Sequence, residues 1–390
     1  MRCARYIFCV IAILLVAMGG CYGLWVATRP HEPLSPELDT PKLSMEQLPP
    51  SLRAKPLFFT LAAVPYLKEH WQEWSGAYGL PTPLPEEVAV HCDATRQSPK
   101  DWRVLDRKWR FGAILLTGDP ANFRPLLDHL RKSPDWTLTR LDPTSLVFER
   151  SPARAWAPAD VALVLSVFQT HSAEEQKAAR ILIAHRLMYL EEMPMAKTLL
   201  KEVLKMDSRS KQAWTELAGM HGMMSQWQES ATAAQRALAV GSRYRPAQTA
   251  LAHALYALER FDKALDVSRT LYAEAPADGS TLLLHAQVTH AAHAFVEEID
   301  VLQRLIGLLQ GAAQPVGSWQ VYLGQAYAAT GNRSLAEDQF KTALKDPALS
   351  QAQRVFVQKA MERIETKPNL LNSGPSLPQS SLLDAPPYRP

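Results

Sequence analysis

Cysteine is scarce. The 390-residue chain has four, at Cys3, Cys9, Cys21 and Cys92, and the first three lie in or beside one apolar N-terminal stretch. With Cys92 alone in the body, neither an internal disulfide framework nor a Cys-based zinc site can be assembled there. A surplus of one charge is lacking too: 42 Lys plus Arg against 39 Asp plus Glu, a formal net charge of +3, points to no nucleic acid or polyanionic surface. The glycine-rich phosphate loops GxGxxG and GxxxxGK, the nucleophile elbow GxSxG and the metalloprotease motif HExxH do not occur. What is present is an ordinary globular composition, 47% hydrophobic and 21% charged, which argues against disorder throughout and against a multi-pass membrane protein. At roughly 100 to 200 residues per domain, the length suggests two or three units.

From Tyr6 to Thr28 no residue carries a formal charge, and about 20 apolar residues in a helix cross a bilayer core. Arg2 and Arg5 precede this run while Glu32, Glu37 and Asp39 follow it, so the positive-inside bias keeps the start cytoplasmic and exports the rest. Residues 1–28 are therefore expected to form a signal anchor or transmembrane helix. Two other readings stand beside it: a cleaved signal peptide, and a lipoprotein in which Cys21 of Met18-Gly19-Gly20-Cys21 carries the lipid. All three place the body in the periplasm or cell envelope. Prolines 30, 33, 36, 41, 49, 50 and 56 make residues 29–56 an extended linker. The Pro-, Ser- and Asn-rich residues 366–390 read as a disordered tail, in which Pro375-Ser-Leu-Pro378 is a minimal PxxP.

Residues 57–150 are rich in Trp, at 71, 74, 102, 109 and 136, and read as a small α/β module. Phe111 to Leu116 is a buried strand ended by Thr117-Gly118, after which Asp119 caps and Pro120 starts a helix through Phe123 to Leu130. Trp136 to Leu141 and Ser145 to Arg150 alternate across Asp142-Pro143-Thr144 as a hairpin, with Trp136, Leu138, Leu146 and Phe148 on one side. The expected order is helix, strand, helix, strand, strand. Trp136-Thr-Leu, Asp142 and Leu146-Val-Phe-Glu-Arg150 resemble the small extracytoplasmic module of some bacterial membrane proteins, a resemblance that sets no function. His91-Cys92-Asp93 could supply a thiolate, a base and an orienter, but neighbours on a strand point to opposite faces, and a buried strand end with a turn-forming Asp93 fits better.

Beyond Lys177 the chain repeats. Frames start at Lys177, Lys211, Arg245 and Gly279, each 34 residues after the last, and a fifth starts at Gly317 after 38, with the insertion near Gly311 to Pro315. The eighth place holds Ala184, Ala218, Ala252, Ala286 and Gly324. The twentieth holds Ala196, Ser230, Ala264, Glu298 and Ala336, and the twenty-seventh Val203, Ala237, Leu271, Leu305 and Ala343. This pattern resembles the tetratricopeptide repeat, a helix-turn-helix unit of 34 residues. The fold expected is mainly α: a solenoid of about five helix pairs over 158–365, preceded by the α/β module and the N-terminal membrane helix. Gln351 to Ile364, with Val355, Val357, Ala360, Met361 and Ile364 at helical spacing, caps one end, and Ala159 to Phe168 the other. The fourth frame departs, with His285 and Glu298 where apolar or small residues belong, and implies a tilted or loosely packed pair.

The resemblance implies a concave groove lined by the first helix of each pair. Its lining places select His185, Met188, Tyr189, Met223, His253, Tyr256, Gln287, His290 and Gln325 as protein-binding residues. No basic set appears among them for a C-terminal carboxylate, and amides, aromatics and methionines suit a peptide with apolar anchors. Stacked repeats put neighbouring histidines about 10 Å apart, too far for one metal; they read best as ordinary polar lining, and the alternative is that their titration near pH 5 to 6 weakens partner binding. The role expected is a membrane-tethered extracytoplasmic scaffold that binds a protein or peptide, without catalysis, cofactor or metal. The alternative makes 57–150 an enzymatic or sugar-handling domain whose client the repeats recruit, and a third reading is a purely structural envelope component.

Overall fold

A buried apolar run followed by Gly, Asp and Pro spells strand, stop and helix start, and the computed structural model is built that way at Ala113–Phe123. It describes residues 57–59, 99–150, 154–312 and 314–366. The expected membrane segment with Cys21, the linker, His91-Cys92-Asp93 and the PxxP tail lie outside these residues. Strand β2 (Ala113–Thr117) ends at Gly118, whose φ of 89° is the left-handed conformation that glycine adopts without strain. Asp119 then accepts a hydrogen bond from the Ala121 amide at 2.9 Å, capping a 3-10 turn (Pro120–Phe123) that leads into α2 (Arg124–Lys132).

The sheet has the order β1-β2-β4-β3, with β1 (Leu57–Phe59) parallel to β2, and β4 (Ser145–Arg150) antiparallel to both β2 and β3 (Trp136–Leu141). Strand β1 is the element that the sequence pattern did not reveal; three residues are too few to show alternation. The central strands β2 and β4 are buried along their length, while the edge strand β3 is half-buried and carries a bulge between Leu138 and Arg140. Leu138 faces Phe148 in register. Helix α1 (Pro99–Trp109) closes the aromatic core through Trp102, whose ring lies 4.7 Å from Phe58, 5.6 Å from Phe111 and 6.1 Å from Trp136. Asp142 makes the hairpin turn, accepting from the Thr144 and Ser145 amides at 2.7 and 2.6 Å. Arg150 lies over Trp136 at 4.4 Å, pairs with Asp106 at 2.6 Å and donates to the Phe111 carbonyl. The Trp, Asp and Arg of the resemblance are thus structural groups.

The helices follow as α3 (Asp160–Val167), α4 (Ala173–Tyr189), α5 (Met193–Met206), α6 (Lys211–Met223), α7 (Trp227–Val240), α8 (Arg245–Ala257), α9 (Phe261–Glu274), α10 (Gly279–Ala291), α11 (Phe295–Gly311), α12 (Gly317–Ala329), α13 (Arg333–Ala343) and α14 (Gln351–Thr366). Two compact units divide inside α6, between Met220 and His221, whereas the sequence suggested a boundary between 150 and 158. In the first unit α4 packs on α5, and it also meets α3 and the 3-10 turn of the α/β module. In the second, each helix from α7 to α14 packs on the next.

Small places are where the helices close. Ala184, Ala218, Ala252 and Ala286 are buried, as are the residues at the twentieth and twenty-seventh places. In the fifth pair Gly324 stands where the others have Ala, because a Cβ there would lie 2.6 Å from the Phe340 ring. The turn between paired helices recurs as well: Glu191, Ser225, Glu259, His293 and Gly331 all have positive φ, at spacings of 34, 34, 34 and 38. Each donates to the carbonyl three residues back, and the next residue donates to the carbonyl five back, as Glu259 to Tyr256 and Arg260 to Leu255. That is a Schellman closure with the left-handed residue at its C′ position. The fourth pair is not loose. Its second helix is longer, 17 residues against 14 in α9, which absorbs much of the insertion, and α10 is buried along its length. In α14, Val357 and Ile364 are buried and Ala360 and Met361 half-buried, but Val355 faces outward.

Four of the five turns hold a side chain in the conformation that glycine occupies at 331. Replacing Glu259 or Ser225 by Gly is expected to raise unfolding free energy by about 0.5 to 1 kcal/mol, relief of left-handed strain exceeding the added chain entropy. Gly331→Ala should lose about 1 kcal/mol. Urea unfolding followed by circular dichroism measures both signs.

Candidate functional site

The expected groove residues divide into covered and accessible ones. In the first pair the inner face of α4 is covered by the α/β module. His185 is 2% exposed and held from both sides: its Nδ1 meets Glu216 Oε2 of α6 at 3.0 Å and its Nε2 meets Asp119 Oδ1 at 3.2 Å. Burial alone would push the imidazole pKa down, but the Glu216 and Asp119 carboxylates outweigh it and raise it to about 9. At neutral pH His185 is therefore an imidazolium that donates to two carboxylates.

Arg186, also buried, donates from Nη2 to the Gly118 carbonyl at 3.1 Å. Its burial lowers the guanidinium to about 10, opposed by Asp142 and Asp119. Tyr189 packs 5.3 Å from the His185 ring and lies under Arg124 of α2 at 5.9 Å, while Arg131 donates to its carbonyl and pairs with Glu191 at 2.9 Å. Met188 is buried beside them. His185, Met188 and Tyr189 are thus buried rather than open lining, a correction whose cause at His185 is Asp119 and at Tyr189 the Arg124 and Arg131 side chains of α2. The convergence of His185, Asp119 and Glu216 is what an enzymatic module would need, yet their side chains are 2%, 6% and 8% exposed, so no substrate reaches them in this conformation. Among the described residues no group of His, Cys, Asp and Glu is placed to hold a metal ion. In this cluster the two carboxylates sit on opposite nitrogens of one ring.

In the second unit, Met223, His253, Tyr256 and Gln325 are half-buried, although the Gln325 Oε1 is itself covered. Tyr256 is set by an edge contact with Phe261 at 5.7 Å. Gln287 and His290 are buried instead. His290 Nδ1 meets Glu298 Oε1 at 2.8 Å, and its ring meets Tyr322 edge-on at 5.1 Å. Burial pushes the Glu298 carboxyl up, against the pull of His290. This accounts for the polar residue at the twentieth place: the pair bonds across the turn, within one repeat. His285 at the seventh place has its own partner, Ser268 of α9, at 2.9 Å, and stacks on Tyr272 at 4.8 Å. Because Ser268 donates to the Leu265 carbonyl, His285 donates from Nδ1 and leaves Nε2 buried without a partner. Burial lowers His285 to about 4, and it lowers His253 to about 4 as well. Titration of the groove histidines near pH 5 to 6 therefore fails for His185 and His253, which shift in opposite directions out of that window.

Sequence reading missed Asp119, Glu216, Arg186 and Glu298 as partners. Only Glu298 left a signal, since His290 and Glu298 stand eight residues apart across one turn.

The helical part is a tetratricopeptide-like array. Its pairs recur every 34 residues, close at small places and turn through one left-handed residue. No known protein-family profile matches the chain, and no curated protein matches it in sequence. Among solved structures it is similar to YrrB, described as a TPR protein with an unusual peptide-binding site, at 16% identity and a TM-score of 0.44 over 52% of this chain and 100% of that one. It is similar also to MamA from Desulfovibrio magneticus RS-1, at 16% identity and 0.39 over 43% and 93%, and to TTC0263, a TPR protein of Thermus thermophilus, at 18% identity and 0.33 over 48% and 99%.

A histidine held neutral in the core costs stability in acid. The folded pKa of His285 lies below its unfolded value, so its destabilisation is absent above about pH 6.5 and grows as pH falls toward 4, to about 3 kcal/mol at most. Leu stands at this place in three other pairs. His285→Leu is expected to flatten the fall in melting temperature between pH 6.5 and 4, read by scanning calorimetry, and an unchanged slope would show that His285 is not the group protonated.

Proposed function

We propose that the chain works by binding rather than by chemistry: it is a membrane-tethered scaffold outside the cytoplasm whose second unit takes a segment of another protein. The observation that carries this is the set His253, Tyr256 and Gln325, which occupy lining places of their helices, stay part-exposed where Gln287 and His290 are buried, and bear no permanent charge. Aromatic and amide groups on rigid helices bind a peptide's apolar anchors and backbone without a large entropic cost. The tether rests on the uncharged run from Tyr6 to Thr28 and the flanking charges. Among the described residues no helix is long and apolar enough to cross a membrane.

Crosslinking in membranes tests the binding surface. The double variant Tyr256→Ala, Gln325→Ala should recover its partner at least about tenfold less well than the unaltered chain, by loss of two anchors at about 1 kcal/mol or slightly more each. Val296→Ala, at a side chain 79% exposed on α11, should recover it fully. Equal recovery from all three chains removes these residues from the surface.

The location has its own check. Protease added to intact spheroplasts should digest the body, and full protection of residues beyond 57 would refute export.

A further inference from the structure

Two groups of the α/β module fill the inner face of the first helix pair, and both are what a peptide ligand would offer: the carboxylate of Asp119 on His185, and the carbonyl of Gly118 on Arg186. We propose that the Gly118-Asp119 loop is a built-in ligand of the first pair, a charge-held latch that a partner segment bearing an acidic side chain displaces. The proposal rests on the reading that inner faces of these pairs bind protein segments, and it names the chemistry of the segment that the first one takes.

The receiving half does not depend on the loop. Glu216, on α6, holds the second nitrogen of His185 at 3.0 Å, which fixes the ring and keeps it charged when the other nitrogen changes partner. Met188 and Tyr189 stand beside it as an apolar wall. The loop likewise keeps its own shape, since Asp119 also accepts from the Ala121 amide at 2.9 Å.

Charges taken out of water offset their desolvation only through well-placed partners, and a buried pair broken without replacement is strongly destabilising, so the loop gives way only to a segment that supplies the same groups. A competing carboxylate and carbonyl replace the loop group for group, leaving no charge unpaired. The charged groups around His185 include Glu216 from α6, Asp119 from the β2 loop, and Arg186 on its own helix with Asp142 of the hairpin turn facing it, and Arg124 and Arg131 of α2 stand across Tyr189.

The probe is a fluorescent peptide with the sequence of residues 115–124, titrated against the full chain. Asp119→Asn keeps the turn-capping oxygen but removes the charge, which weakens the internal competitor. The peptide is expected to bind this variant about tenfold more tightly than the unaltered chain, the penalty of a mostly closed site being lifted. A peptide with Asn in place of its Asp, or a chain with His185→Gln added, should lose that gain. Hydrogen exchange should rise in residues 182–190 of Asp119→Asn while residues 125–150 stay protected. The latch is overturned if the peptide binds neither chain, or if exchange rises through the whole of 99–150, which would make the contact part of the module's core. Binding at Tyr256 and Gln325 is measured separately, so loss of the peptide with crosslinking intact removes the latch alone, and loss of both removes the binding role.

Discussion

Two helices joined by a short turn can lie against each other over three turns only where a side chain is missing between them. That constraint is met at the eighth place of every repeat and at the twentieth of all but the fourth, and much of the helical packing follows from it. Alanine on one helix lets the backbone of the other approach, which brings the flanking Leu and Val side chains into contact and buries them at about 25 cal/mol per Å². The fifth pair meets the same requirement differently. Phe340 takes the volume, and the facing residue gives up even its Cβ, since one at Gly324 would overlap the ring. A mid-helix glycine costs about 1 kcal/mol relative to alanine, and a fully buried phenyl ring returns more than that.

Where a small or apolar residue is missing, a hydrogen-bonding partner has been supplied. Glu298 is wholly buried at a place that four other pairs give to Ala or Ser, and His290 answers it. His285 replaces an aliphatic residue, and Ser268 answers it. An unpartnered buried polar group costs about 1 to 3 kcal/mol, and more when charged, so each departure is tolerated only with its pair. The cost is not fully removed, for His285 Nε2 and Glu298 Oε2 remain buried without a hydrogen bond. This polar seam borders α11, at 17 residues the longest described helix of the second unit.

The repeat was legible because its constraint acts at fixed spacing: a small residue every 34 positions is visible without a structure, and so are Asp119 as a cap and the hairpin around Asp142. The left-handed turn was hidden, since only Gly331 advertises it and Glu191, Ser225, Glu259 and His293 do not. Strand β1 was hidden by its brevity. The groove was legible as a set of places and misread as a surface, because burial depends on what lies over a helix from distant sequence. Nothing near His185 in the chain signals Asp119, 66 residues earlier, or Glu216, 31 later.

His185 and His253 make the point sharply, for they stand at the same place of the first and third pairs. Between two carboxylates the imidazole is held charged; burial makes the other a neutral ring. Repeat position therefore fixes where a side chain sits but not its charge, which is set by neighbours outside the repeat. A four-stranded sheet in a module of fewer than a hundred residues buries a small core of its own, and the ties from Asp119 and Gly118 to His185 and Arg186 join it to the first pair. The compact units accordingly divide within α6 rather than where the composition changes, and the inner face of α4 is covered by residues of its own chain.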